Sequence, residues 1–173
     1  KNKDYESDAH YYLGHISYQL DDYDGALKSF QSISEANKKD DLLYFQADMN
    51  FRLGRFSNAI ELAKKALVNK NKAIKSELSK IIGESYFNLS NYEMSIPFLE
   101  LYEGSNGSWK NTDYYQLGYA YFKQKKYDLA ISQFNKIIGE KNEIAQNSYY
   151  ALAECYLKKN KKQEALNAFK KAY

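Results

Sequence analysis

Tyr114-Tyr115-Gln116-Leu117-Gly118-Tyr119-Ala120-Tyr121 is followed by Tyr127-Asp128-Leu129-Ala130-Ile131, then by Phe134 and Ile137. Both halves space their apolar residues as one face of a helix does, and a short polar turn separates them. The unit has four relatives along the chain. Its small residue recurs at Gly14, Ala47, Gly83, Gly118 and Ala153, at intervals of 33, 36, 35 and 35 residues. A turn aromatic recurs at Tyr23, Phe56, Tyr92 and Tyr127, and Lys162 breaks the series. A second small residue follows at Ala26, Ala59, Ser95, Ala130 and Ala165; four further on lie Phe30, Ala63, Leu99, Phe134 and Phe169. Two helices that cross closely need a site without bulk, which Gly or Ala supplies, and a large ring fills the space beside it. One such hairpin cannot bury its own face, so neighbours must stack.

These residues resemble the tetratricopeptide-repeat (TPR) family, whose pattern runs over 34 residues. Tyr114, Leu117, Gly118, Tyr121, Ala130 and Phe134 match it in order. The resemblance covers about residues 7–173 as five units, at about 7–38, 40–71, 73–108, 111–142 and 143–173. It implies an all-α fold, a right-handed superhelix (α-solenoid) of about ten antiparallel helices in a single array. The spacing predicts helices over 7–20, 23–35, 40–53, 56–69, 73–89, 92–103, 111–124, 127–139, 143–158 and 161–172. The family often ends a repeat with Pro. Here Lys38, Asn71, Gly107 and Asn142 stand there, and Asn and Gly tolerate the left-handed conformation that ends a helix. The single proline, Pro97, falls inside a second helix, where a kink is expected. Gly104-Ser105-Asn106-Gly107-Ser108 is the clearest turn.

In this family the side of the first helix opposite the hairpin core lines a concave ligand groove. Numbering the recurrent Gly/Ala as position 8 assigns residues to it. Position 5 holds Tyr11, Tyr44, Lys80, Tyr115 and Tyr150; position 9 holds His15, Asp48, Glu84, Tyr119 and Glu154. Position 12 holds Tyr18, Phe51, Phe87, Phe122 and Leu157, and position 13 includes Arg52. The implied groove is an aromatic ladder flanked by scattered charge. Tyr and Phe anchor interfaces well because they bury much area with few rotatable bonds. Two roles stay open for these rings. Position 12 suits packing between helices, and position 5 suits either packing or ligand contact. The clamp by which some TPR proteins hold a C-terminal carboxylate needs Lys at position 5 and Asn at position 9. Tyr11 with His15, and Lys80 with Glu84, do not provide it, so an internal or extended segment is the expected ligand.

Composition narrows the function further. The chain has 173 residues and a net charge of +3, with 18 Tyr, 9 Phe and 1 Trp. Residues 1–69 hold 9 Lys/Arg against 11 Asp/Glu, and residues 70–173 hold 16 against 11. That polarity falls short of the clustered basic patch of a nucleic-acid protein, and no nucleic-acid partner is expected. Lys158-Lys159-Asn160-Lys161-Lys162, the densest basic run, reads as a solvated turn. Cys155 is the one cysteine, which excludes an intrachain disulfide without fixing the compartment. No apolar run approaches the roughly 20 residues needed to span a bilayer. The chain begins Lys1-Asn2-Lys3 without Met, as an excised or processed part of a longer protein would.

No catalytic set emerges. His10 and His15 are about 140° apart on a helix and cannot share a metal. Cys155 aligns with Ile16, Met49, Ser85 and Ala120, a packing position. Asp21-Asp22-Tyr23-Asp24-Gly25 lacks the distal Glu of a calcium loop. The chain is expected to be no enzyme and to need no cofactor or metal. The first functional expectation is a scaffold holding a protein or peptide in the aromatic groove. The second is a structural spacer or assembly module that uses its ends or convex face, with self-association through the ends. The Tyr-, Lys- and Asn-rich repeats resemble those of bacterial envelope TPR proteins, which points to the periplasm or cell envelope, with the cytoplasm as the alternative.

Overall fold

One turn is used five times. In the first hairpin the Asp22 N–H donates to the Ser17 carbonyl at 2.9 Å and the Asp21 N–H to the Tyr18 carbonyl at 3.1 Å. This bond pair closes a helix when the next residue is left-handed. It recurs from Arg55 to Asn50 and Gly54 to Phe51, and from Asn91 to Tyr86 and Ser90 to Phe87. It recurs again from Lys126 to Tyr121 and Lys125 to Phe122, and from Lys161 to Tyr156 and Asn160 to Leu157. The left-handed residues are Asp21, Gly54, Ser90, Lys125 and Asn160, with φ between 58° and 71°. Asp22 and Asn91 then accept the N–H of Gly25 and Met94 at 3.0 and 3.2 Å, starting the next helix within the same turn.

The computed structural model describes residues 2–33, 41–68, 70–137 and 142–172, with side chains from residue 5. These residues form ten helices: α1 (Asn2–Gln19), α2 (Tyr23–Gln31), α3 (Leu42–Arg52), α4 (Phe56–Ala66), α5 (Lys72–Asn88), α6 (Tyr92–Leu101), α7 (Asn111–Lys123), α8 (Tyr127–Phe134), α9 (Glu143–Lys158) and α10 (Lys162–Ala172). The chain divides into two compact units, residues 1–85 and 86–173.

In the first unit α1 pairs with α2 and α3 with α4, and α2 packs on α3. Ala26, Leu27, Phe30, Ile33, Leu42 and Met49 form one core cluster. Gly14 is there for closeness, because a Cβ on it would lie 2.4 Å from Phe30 Cε1. In the second unit α7 pairs with α8 and α9 with α10, while α6 packs on α7 and α8 on α9. A Cβ on Gly118 would lie 2.8 Å from Phe134 Cε1, the same glycine–phenylalanine fit. The Gly104–Ser108 turn forms as read: Ser105 bridges Ser108, and Gly104, Asn106 and Gly107 all have positive φ. It leads into Trp109, whose indole N–H donates to the Tyr102 carbonyl at 2.8 Å.

Three local expectations change. Asn71 and Asn142 do not end helices in the left-handed form; their Oδ1 atoms accept the N–H of Ile74 and Ala145 at 3.0 Å and cap the helices that follow. Lys38 lies outside the described residues. Among the second helices, α2, α4, α6 and α8 stop two to five residues before their expected ends. Ile33, Tyr102 and Ile137 are buried beyond the last helical residue, so the apolar period outlasts the helix. Helix α1 starts at Asn2, earlier than the apolar pattern indicates. Helix α6 runs through Pro97, which has no N–H to give to the Glu93 carbonyl.

Candidate functional site

The groove residues of the first unit gather around two features. Tyr18 Oη donates to Asp48 Oδ2 at 2.6 Å, and Arg52 Nε donates to the same oxygen at 2.6 Å. Arg52 Nη1 also donates to the Tyr23 hydroxyl at 3.2 Å, and its guanidinium lies over both rings, 5.8 and 5.5 Å from their centroids. A charge-assisted bond on a mostly buried carboxylate is stronger than a neutral one. Burial, and then the neighbouring Asp48 carboxylate, push the Tyr18 phenol well above its ordinary range, so it stays a donor. Asp48 in turn holds Arg52 charged.

Beside this network α3 and α5 enclose a cavity of about 300 Å³ lined by Tyr44, Asp48, Phe51, Arg52, Glu77, Lys80, Ile81 and Glu84. Six of these eight were assigned to the groove from the repeat register. Glu77 and Ile81 were not. Glu77 stands three residues before Lys80, on the same helical face, and that spacing was the available signal. Lys80 Nζ lies 3.9 Å from Glu84 Oε1. The charged lining holds Asp48, Glu77 and Glu84 against Arg52 and Lys80. Burial, with Asp48 and Glu77 nearby, raises the Tyr44 phenol, which remains neutral and able to donate.

Tyr11 and His15 sit differently. Tyr11 donates to Asp41 Oδ2 at 2.8 Å, and His15 stacks edge-on against Tyr11, Phe30 and Phe45 at 4.4, 5.3 and 4.6 Å. Both are therefore packed within the first two hairpins. Burial and the bond to Asp41 raise the Tyr11 phenol to about 12.

In the second unit Tyr115, Tyr119 and Phe122 form a run with centroids 5.7 and 6.0 Å apart. Tyr119 also meets Phe87 and Tyr92 at 5.9 and 5.8 Å, and Lys123 Nζ lies 5.1 Å from its ring centroid. Tyr150 stands more open, with one edge on Phe169 at 5.6 Å, and Glu154 is half-buried one turn along. The position-12 rings pair with the turn aromatics in both units. Tyr18–Tyr23, Phe51–Phe56, Phe87–Tyr92 and Phe122–Tyr127 lie 5.9, 5.9, 5.5 and 6.3 Å apart. These rings brace the turns. A larger cavity, about 390 Å³, is lined by Trp109, Tyr114, Tyr121, Glu100 and Lys136, among others. The groove register did not point to it.

Among the described residues, no group of three or more His, Cys, Asp and Glu could hold a metal ion, and no helix is long and apolar enough to cross a membrane.

The family profile described as "Tetratricopeptide repeat" matches residues 11–74, and that described as "Anaphase-promoting complex, cyclosome, subunit 3" matches residues 98–172. The chain is a tetratricopeptide-repeat protein. The two matches span both units, and the TPR hairpin is a protein-interaction fold. No curated protein sequence matches. Solved TPR-like structures do. MamA AMB-1 is 21% identical with a TM-score of 0.81, covering 98% of this chain and 91% of that one. MamA from Desulfovibrio magneticus RS-1 is 17% identical with a TM-score of 0.74, covering 96% and 93%. YrrB, a TPR protein with an unusual peptide-binding site, is 18% identical with a TM-score of 0.76, covering 94% of this chain and 82% of that one. At such identities these likenesses establish the fold: an all-α TPR protein of helical hairpins.

Proposed function

We propose that this TPR protein is a non-catalytic scaffold that holds an internal or extended peptide segment of a protein partner, anchored in the cavity between α3 and α5. The observation that carries this is the lining itself. Tyr44 and Phe51 supply aromatic walls, and Asp48, Arg52, Lys80 and Glu84 alternate in sign around them. Such a site takes an apolar side chain while acidic and basic groups meet the peptide amides and flanking charges. The Asp48 network fixes Arg52 in place before any ligand arrives, so less side-chain freedom is lost on binding.

Tyr115, Tyr119 and Phe122 offer a second, separately placed aromatic surface, and Tyr150 a further exposed ring. The resemblance to YrrB, a TPR protein with a peptide-binding site, supports the same class of ligand. The carboxylates in the cavity disfavour a phosphate backbone. The tyrosine-, lysine- and asparagine-rich repeats make the bacterial cell envelope the first compartment in which to seek the partner.

Selection from a displayed library of extended peptides tests the reading. Lys80→Glu changes the lining from two cations and three anions to one and four. Peptides selected by the native chain should combine an aromatic or aliphatic anchor with mixed charge, and those selected by Lys80→Glu should shift towards Lys and Arg. Identical peptide sets from both proteins would remove the cavity from the account.

A further inference from the structure

The cavity of about 390 Å³ beside α7 has a counterpart one repeat further on. Tyr114, Leu117 and Tyr121 from one face of α7 line the first, with Gln133 from α8 and Lys136 just beyond it. A cavity of about 220 Å³ is lined by Tyr149, Leu152, Tyr156, Ala168 and Lys171, among others. Each of these five stands 35 residues after its equivalent in the first. Both cavities lie within the second unit, where α7 and α8 each pack on α9. In each, an exposed lysine is held over a half-buried tyrosine. Lys136 Nζ lies 5.4 Å from the Tyr114 ring centroid, and Lys171 Nζ lies 5.5 Å from that of Tyr149. The other repeats do not combine these two residue types. Their equivalents are His10 with Ser32, Leu43 with Lys65, and Ser79 with Leu101. A TPR hairpin therefore closes without the pair.

Charge is sorted along both cavities. Lys136 donates to Gln133 Oε1 at 3.2 Å, one of the three hydrogen bonds an ammonium can give. The carboxylate of the first cavity, Glu100, accepts from the Tyr121 hydroxyl. Tyr121 is seven residues from Tyr114, two helical turns or about 10 Å along α7. Glu164 lines the second cavity and is likewise seven residues from Lys171 on α10. Such a separation is about one Debye length at 0.1 M salt, so the glutamates compensate the lysines only in part. Between the two ends, buried Leu117 and Leu152 give each cavity an apolar floor. We propose that this side of the second unit binds an extended acidic peptide segment, with one carboxylate on Lys136, another on Lys171, and apolar side chains in the two cavities. Packed helices lie about 8–10 Å apart. Equivalent places on the neighbouring repeats of α7 and α9 are therefore about three extended residues apart. A phosphate backbone suits the site less, because Glu100 and Glu164 stand at its far end. The site is separate from the α3–α5 cavity and does not rest on what that cavity holds.

Trp109, the single tryptophan, lines the first cavity, so its fluorescence reports on the site. The probe is acetyl-Asp-Leu-Ser-Asp-Leu-Ser-Asp-amide, titrated into the 173-residue chain beside versions with Asn or Lys in place of Asp. The acidic peptide should shift the fluorescence saturably, and the other two should bind about tenfold more weakly or not at all. Lys136→Glu combined with Lys171→Glu should weaken the acidic peptide by about tenfold or more. Lys136→Arg combined with Lys171→Arg keeps the charge and the ring contact and should bind within about twofold of native. Lys161→Glu combined with Lys162→Glu makes the same change of net charge in the α9–α10 turn and should leave binding near native. All four lysines are exposed, so circular dichroism should match the native chain throughout. A native chain that does not bind the acidic peptide would overturn the proposal. So would equal binding of the Asn peptide, an equal loss from the Lys161 and Lys162 pair, or tighter binding of a single-stranded oligothymidine of the same charge.

Discussion

Gly14→Ala is expected to destabilise the first hairpin, although alanine is the better helix former. The added methyl would sit 2.4 Å from Phe30 Cε1, 2.6 Å from Cδ1 and 2.9 Å from Cζ. Phe30 is fully buried, with His15, Tyr11 and Phe45 around its ring at 5.3, 6.3 and 6.3 Å, so it has no open space to enter. Overpacking of this kind costs roughly 1–3 kcal/mol. Replacing glycine within a helix returns about 1 kcal/mol. The net expectation is a loss of up to about 2 kcal/mol, read as a lower urea midpoint with the same m-value. The decisive comparison is with Phe30→Ala, which alone should cost about 3–5 kcal/mol. In that background the clash is gone, and adding Gly14→Ala should stabilise by about 1 kcal/mol. The second repeat already uses this alternative, pairing Ala47 with Ala63. A Gly14→Ala protein more stable than native, or the same sign of effect in both backgrounds, would refute the close-approach argument.

Three further outcomes follow from particular groups. Lys125 holds a left-handed φ of 58° without being glycine; Lys125→Gly should raise stability by about 1 kcal/mol in urea melts, whereas Gln124→Gly, at a negative φ, should not. Burial, with Glu154 next to it, pushes the Cys155 thiol up to about 12. The native protein should thus react with Ellman's reagent at pH 8 orders of magnitude more slowly than protein unfolded in guanidinium. Tyr11 is raised from 10 to about 12 in the fold by burial and by its bond to Asp41. Its contribution is therefore complete below pH 10 and lost as pH climbs from 10 to 12. Tyr11→Phe should flatten that alkaline loss of stability, while phenolate absorbance of the native chain reports the same titration.

The repeat and its close contacts were legible because they rest on residue size. Gly14 opposite Phe30 and Gly118 opposite Phe134 appear in the sequence at the spacing that the structure uses. The turns were legible only in position. Asp21, Gly54, Ser90, Lys125 and Asn160 share a backbone conformation and a pair of hydrogen bonds, but no side-chain type, so no compositional pattern marks them. Helix ends were overrun at Ile33, Tyr102 and Ile137 because burial continues where the helix has stopped. For the candidate site, the register picked out Tyr44, Asp48, Phe51, Arg52, Lys80 and Glu84, which do line one cavity. It did not separate them from Tyr11 and His15, which occupy equivalent positions. That difference arises from Phe30 and Phe45, whose rings fill the space beside His15, and from the Asp41 carboxylate that takes the Tyr11 proton donor. Neither is visible from the repeat position alone.

The central claim, that the α3–α5 cavity anchors a peptide, is tested most directly by calorimetric titration of a library-selected peptide into the native chain and into Tyr44→Ala of matched helicity. Removing a central aromatic anchor costs about 2 kcal/mol or more, which is roughly a 30-fold or greater rise in Kd. The account predicts that rise for Tyr44→Ala and little change for Tyr150→Ala. Equal Kd values for the native chain and Tyr44→Ala would contradict it.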